Sequence, residues 1–146
     1  MPGPIPSITL MANMALLPAA TAFVQEAALA AQLPSSVWGQ LDLVLEEAFV
    51  NVALYAYPEG RTGKIEIRTT SPAPGLLQVE LVDSGIAFNP LNSSPPNLSD
   101  QLQDRKSGGL GVFLLKLLTD EVAYCREDGF NRLRFTISAA TAQVHS

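Results

Sequence analysis

Apolar and polar residues alternate in the middle of the chain, where they predict a pair of neighbouring strands. Over residues 63–70, Ile65 and Ile67 alternate with Glu66 and Arg68, the pattern of a strand with one buried face. Residues 72–75 contain two prolines and a glycine, which favour a turn, and residues 76–82 return as a second apolar strand. The pattern therefore predicts a hairpin.

The other apolar segments predict three helices and three further strands. Helices are expected at 18–32, which opens at a proline, at 37–55 and at 112–118, and strands at 8–12, 122–126 and 131–138. Residues 89–107 are polar or proline-rich and aperiodic, which is typical of a lid, a binding loop or a disordered segment. The order predicts an α+β fold, a two-layer α/β sandwich whose mixed, mostly antiparallel sheet carries helices on one face.

Composition excludes several classes of function. The 146 residues fit a single domain, with its core at about 8–138, and a formal charge of −5 disfavours nucleic-acid binding. Cys125 is the only cysteine, so neither an intramolecular disulfide nor a cysteine metal cluster is possible. Its apolar neighbours predict an inert, buried thiol. The apolar segment 8–33 is too interrupted for an export signal or a membrane span, which favours a cytoplasmic protein.

The helix at 37–55 carries two polar residues on a surface that is otherwise apolar. Glu47 and Asn51 are four positions apart and share a face, and projection at 100° per residue places Leu43, Val44 and Leu54 beside them. A buried carboxylate and a buried amide each need a partner. That partner is either loop backbone, another side chain or a ligand, and the helix alone does not decide between them.

Two later segments have the chemistry of a nucleotide site. Asp83 ends a strand, where an ionised carboxylate can accept from an exocyclic amino group such as that of adenine, and Gly85 lets backbone lie close to a flat ring. Residues 107–111, Ser-Gly-Gly-Leu-Gly, lead into a helix, so bare amide groups can face phosphate. Taken singly, the first segment is more often a plain turn, and the second is more often a flexible hinge followed by a helix start.

Together these residues resemble the Bergerat ATP-binding fold, and most closely the bacterial anti-sigma-factor serine kinases. Residues 47–51, Glu-Ala-Phe-Val-Asn, look like the family's N box, and residues 82–90 look like its Asp-x-Gly-x-x-Phe-x-Pro segment. Residues 108–111, with 120–122 and 131–133, are similar to its C-terminal half. The resemblance extends from about residue 8 to residue 138.

The resemblance implies a role for each site residue. It implies that Glu47 is the catalytic base, that Asn51 coordinates Mg²⁺, and that Asp83 binds the adenine of ATP. Thr136 would support Asp83, residues 89–108 would form the ATP lid, and the nucleotide would be lined by Gly85, Gly108, Gly109, Leu110 and Gly111. One position departs from the family, because Tyr55 stands where a histidine usually follows the asparagine.

The activity implied by the resemblance is ATP-dependent serine/threonine phosphorylation by an anti-sigma factor. The substrate would be a STAS-domain antagonist, and a sigma factor would be the competing partner of a homodimer. An alternative is a nucleotide-dependent binding module that sequesters its partner without transferring phosphate. Tyr55 favours this alternative, whereas Glu47 favours the kinase. A detached histidine-kinase catalytic domain ranks lower, since no acceptor histidine or helical hairpin precedes the core.

Overall fold

The computed structural model describes residues 5–57, 62–92 and 114–139, which form a layer of helices packed on one face of a sheet. The five strands are β1 (Ser7–Met11), β2 (Lys64–Ala73), β3 (Leu76–Asp83), β4 (Glu121–Glu127) and β5 (Phe130–Ser138). They lie in the order β1-β2-β3-β5-β4. The predicted α+β two-layer sandwich is confirmed.

Every strand pairing in the described sheet is antiparallel, whereas a mixed, mostly antiparallel sheet was expected. The reason is the position of β5. β3 and β4 run in the same direction, but β5 returns between them and pairs with both. The return is made at Asp128 and Gly129, which both have positive φ angles, as a tight two-residue hairpin requires.

Two long helices cover the sheet. Helix α1 spans Leu17–Ala30 and helix α2 spans Trp38–Asn51, and residues 114–117 are also helical. Short 3₁₀ turns lie at Met14–Leu16, Ser35–Val37 and Pro90–Asn92. Among the described residues, no helix combines the length and the apolar character needed to cross a lipid bilayer.

Helix α2 does not continue regularly to residue 55 as predicted, because Val52–Ala56 form a π-helical segment, here called the π-turn. A π-helix bonds residue i to i+5 and winds through a smaller angle per residue than an α-helix. The projection at 100° therefore fails beyond Asn51. Leu54, expected beside the polar pair, is 51% exposed instead.

The hydrophobic core lies between the helices and the inward side of the sheet. Its central members alternate along β2 and β3 and recur on one side of α2, as burial of a single face requires. The fully buried ones include Ile65, Ile67, Val79, Leu41, Leu45 and Phe49. This packing fixes α2 above the ends of β3 and β5, where its last residues meet the polar positions of the sheet.

Cys125 is exposed, so the prediction of a buried thiol is wrong. Side chains alternate along a strand, and the half-buried Val122 and Tyr124 occupy the inward positions of β4. Cys125 therefore projects from the outer face, and its strand is at an edge of the sheet. The apolar character of the segment came from residues that face the opposite way.

Candidate functional site

A pocket between the end of α2 and the end of the sheet brings together two of the predicted site residues, Asn51 and Asp83. Its free volume is about 20 Å³, enough for a water molecule, so a purine ring requires its walls to move apart. The lining residues are Ala48, Asn51, Val52, Ala56, Asp83, Phe88, Pro90, Tyr124, Asn131 and Leu133.

Asn51 presents a buried oxygen that has no hydrogen-bond partner. The residue is 3% exposed, and its Nδ2 donates to the backbone oxygen of Glu47 at 2.8 Å. Only the NH₂ group of the amide can donate this hydrogen bond. The acceptor atom Oδ1 is therefore not used by it, and Oδ1 is buried without a partner. An unmet buried acceptor costs about 1–3 kcal/mol, which a ligand can offset. An amide oxygen is also a ligand type that Mg²⁺ accepts, so Asn51 fits the metal role.

Glu47 lies one turn before Asn51 on the same face of α2, as the spacing predicted. Its side chain is half-buried, and it does not line the Asp83 pocket. Burial raises the pKa of the Glu47 carboxyl above its usual value, and the neighbouring charge of Glu46 raises it further. A carboxyl with a raised pKa is a better proton acceptor once it is ionised.

Asp83 is held at the end of β3 by two donors that both reach the same oxygen. Gly85 N–H and Asn131 Nδ2 each donate to Asp83 Oδ1 at 2.9 Å, and the residue is 5% exposed. Burial raises the pKa of the Asp83 carboxyl, while these two hydrogen bonds and the charge of Arg126 oppose the rise. No described residue donates a hydrogen bond to Oδ2, so its acceptor capacity is unused among the described residues, and Asp83 lines the pocket.

Gly85 lies against the backbone of the π-turn. A Cβ built on Gly85 would stand 2.1 Å from the carbonyl oxygen of Ala56, so no other residue fits without a backbone shift. The same carbonyl accepts from Ile86 N–H at 2.7 Å, and Arg126 Nη1 donates to Gly85 O at 2.8 Å. The missing side chain thus lets the segment after Asp83 dock on the end of α2.

Tyr57 ties the start of β2 to the segment after Asp83, a link that was not predicted from the sequence. Its hydroxyl donates to Lys64 O at 2.6 Å and accepts from Ser84 N–H at 3.1 Å. Gly63 packs directly against the ring of Tyr57, and a Cβ built on Gly63 would lie 1.9 Å from Tyr57 Cε1. No local pattern signals this contact, because the three segments are distant in sequence.

Thr136 does not support Asp83, so the expectation drawn from the resemblance is wrong at this position. Along β5, Asp83 is in register with Asn131, whereas Thr136 is in register with Gln78, nearer the other end of β3. The five-residue separation also places Thr136 on the opposite face of the strand from Asn131. The supporting donor is Asn131, which was not among the predicted site residues. The sequence did contain a sign of this role. Positions 133, 135 and 137 of β5 are apolar and face inward, and position 131, the next inward position, is a polar asparagine.

Tyr55, at the position where the family usually has histidine, packs on Phe88. The two ring centroids are 5.3 Å apart and the planes are inclined by 32°. Tyr55 belongs to the π-turn and Phe88 lines the pocket, so the aromatic pair joins the end of α2 to the pocket wall. Gly108, Gly109, Leu110 and Gly111 lie outside the described residues, as does most of the predicted lid at 89–108.

Comparison with known proteins agrees with this architecture. Residues 10–137 match the family model described as the histidine kinase-like ATPase domain. The chain therefore belongs to the histidine kinase-like ATPase family.

Two curated relatives bear kinase names. The serine/threonine-protein kinase BtrW of Bordetella bronchiseptica is 29% identical over 100 residues, covering 68% of this chain and 70% of that protein. The serine-protein kinase RsbW of Halalkalibacterium halodurans is 29% identical over 98 residues, covering 61% of this chain and 56% of that protein. The matched part of this chain thus spans little more than half the length of the second relative.

Proposed function

We propose that this protein binds ATP and phosphorylates a serine or threonine on a small regulatory protein. The observation on which the proposal rests is one pocket lined both by Asp83, whose described donors reach only Oδ1, and by Asn51, whose Oδ1 is buried without a partner. The names of the two relatives, both protein kinases, support the same activity.

Asp83 would recognise the base of the nucleotide. Its Oδ2 accepts hydrogen bonds only, which suits the exocyclic amino group of adenine and repels a carbonyl oxygen at the same position. Gly85 would keep the backbone after Asp83 packed against the π-turn, and so would hold this segment in place beside the bound base. Phe88 would move to widen the pocket, which in the present state has room for about one water molecule.

The phosphate end would rely on Glu47 and Asn51. Asn51 would hold Mg²⁺ through Oδ1, and the bound ion would supply positive charge for the phosphate oxygens. Glu47 would orient the incoming hydroxyl and accept its proton, a contribution of about 10²–10⁴-fold. Gly108, Gly109, Leu110 and Gly111 would line the phosphates, and residues 89–108 would form the lid.

The proposed substrate is a STAS-domain antagonist, with a sigma factor as the competing partner and a homodimer as the working assembly. These partners follow from the resemblance to anti-sigma-factor kinases, and the name RsbW of one relative is consistent with them. A sigma-factor partner would place the activity in the cytoplasm.

A second candidate is a binding module that sequesters its partner in the presence of nucleotide without phosphorylating it. The observation in its favour is Tyr55, which replaces the usual histidine and is engaged with Phe88. The two candidates agree on nucleotide binding and differ only in whether phosphate is transferred.

Labelling with γ-³²P-ATP and a STAS-domain partner separates the candidates. Glu47→Gln is expected to retain ATP binding and to lose labelling by at least about 10²-fold. Glu46→Gln is the matched control, because it neutralises the adjacent, exposed carboxylate of the same helix; it removes only the smaller of the two causes that raise the Glu47 pKa, so labelling is expected to change far less than in Glu47→Gln. Wild-type protein that binds ATP and partner but transfers no label would refute the kinase and support the binding module.

A further inference from the structure

Asn131 forms the centre of a hydrogen-bond network that spans four segments of the pocket. Its Nδ2 donates to Asp83 Oδ1 at 2.9 Å and to Ile86 O at 2.8 Å. Its Oδ1 accepts from Phe88 N–H at 3.3 Å and from the hydroxyl of Tyr124. An asparagine amide has two donors and two acceptor sites, so all four are in use.

The network also fixes which way the amide faces. Its NH₂ group meets two acceptors and its oxygen meets the Phe88 N–H, so a flipped amide would lose these three bonds, and only the Tyr124 hydroxyl could turn to accept instead of donate. The residue is only 3% exposed, and water therefore does not replace the lost partners. Leaving buried polar groups without hydrogen-bond partners costs free energy, and this cost keeps the Asn131 amide in one orientation.

This orientation controls the carboxylate of Asp83. Both of its described donors, Asn131 Nδ2 and Gly85 N–H, reach Oδ1, and so the carboxylate cannot rotate without losing both. Oδ2 is consequently kept as the oxygen available to a ligand. The same amide holds Ile86 and Phe88, so the pocket wall and the recognising carboxylate are set by one residue.

We propose that Asn131 is a positioning residue that makes the pocket selective for purine nucleotides with an exocyclic amino group at the edge bound by Asp83. The proposal rests on the proposed function, since it concerns how that nucleotide site recognises its base. A purely structural role for Asn131 would affect every nucleotide equally. A positioning role affects the part of the affinity that depends on the amino group.

The test compares the dissociation constants of ATP and of purine ribonucleoside triphosphate, which has hydrogen in place of the 6-amino group. In the wild type, ATP is expected to bind about 10- to 150-fold more tightly, the value of one hydrogen bond to a charged group. Asn131→Asp keeps the oxygen that serves Phe88 and Tyr124 but turns an oxygen toward Asp83. The two triphosphates are expected to bind this variant about equally.

Gln78→Glu is the matched control, because it makes the same amide-to-carboxylate change on β3. Gln78 bonds Thr70 on the outer face of the sheet, away from the pocket, and the variant is expected to keep the wild-type ratio. Thermal unfolding of each variant monitors folding. If Asn131→Asp does not fold, Tyr124→Phe replaces it, since it keeps the ring and removes one bond to the amide. Its expected loss of discrimination is about 2- to 12-fold.

The outcomes separate this proposal from the proposed function. The positioning role alone is overturned if the wild type prefers ATP and a folded Asn131→Asp or Tyr124→Phe variant shows the same preference. A wild type that binds neither triphosphate, or both equally, overturns the recognition of adenine by Asp83 and the present proposal with it. Asp83→Asn supplies the reference for complete loss of the preference.

Discussion

Replacing Gly85 with alanine tests whether the close contact with the π-turn builds the pocket. The added Cβ would lie 2.1 Å from Ala56 O, 2.6 Å from Ala56 C and 2.8 Å from Ala56 Cβ. Two of these three atoms are backbone, so no side-chain rotation relieves the overlap. The segment must move by about 1 Å to reach an ordinary contact distance, and the hydrogen bond from Ile86 to Ala56 is lost.

The expected cost is the sum of two effects. Overpacking costs about 1–3 kcal/mol, and the lost hydrogen bond adds about 1 kcal/mol, so Gly85→Ala is expected to destabilise the protein by about 2–4 kcal/mol. ATP affinity is expected to fall by about tenfold or more, because the same shift moves the Gly85 N–H away from Asp83.

Gly39→Ala is the matched control for this substitution. Gly39 lies within α2, and a Cβ there would meet nothing within 4 Å. Alanine is favoured over glycine in a helix, so this variant is expected to gain about 1 kcal/mol and to keep its ATP affinity. Urea unfolding and calorimetric titration with ATP measure both quantities. A Gly85→Ala variant as stable as the wild type, with the same affinity, would refute the reasoning.

Two further substitutions test individual groups of the site. Asn51→Ala is expected to weaken ATP binding about tenfold or more in the presence of Mg²⁺ and little in its absence; an equal loss under both conditions in calorimetric titrations would rule out Asn51 as the metal ligand. Burial raises the pKa of Glu47 in the folded protein above its ordinary value of 4.5, so the folded state binds its proton more tightly and stability falls as pH rises from 4.5 through the folded pKa. Glu47→Gln removes this effect, so its stability relative to the wild type is expected to increase across that pH range; urea unfolding at several pH values would contradict this if the difference stayed constant.

Much of the fold was predictable because its signals are local. Alternation identified β2 and β3, and the apolar segments located α1 and the start of α2. A mostly antiparallel sheet was predicted, but the antiparallel sense of every described pairing was not, because it depends on β5 entering between β3 and β4. Strand order is a property of long-range packing, which no single segment encodes.

The site residues were likewise predictable where their signals are local and not where they depend on long-range packing. The i, i+4 spacing placed Glu47 and Asn51 on one face, and strand-end chemistry singled out Asp83. The role of supporting Asp83 was wrongly assigned to Thr136. The residue that supports Asp83 is decided by the pairing of β3 with β5, and that pairing cannot be read from the sequence of either strand alone. Asn131 was recognisable in principle as a polar residue in an inward apolar series, but its partners were not.

The outward position of Cys125 gives the protein a built-in attachment point for an optical reporter. It is the sole cysteine of the chain, so a maleimide fluorophore would label one site without any mutation. Tyr124, the preceding residue, faces the pocket, whereas the dye would project from the other side of the same strand. Nucleotide titrations could then be followed by emission from a strand that contributes to the binding wall while the wall itself stays chemically untouched.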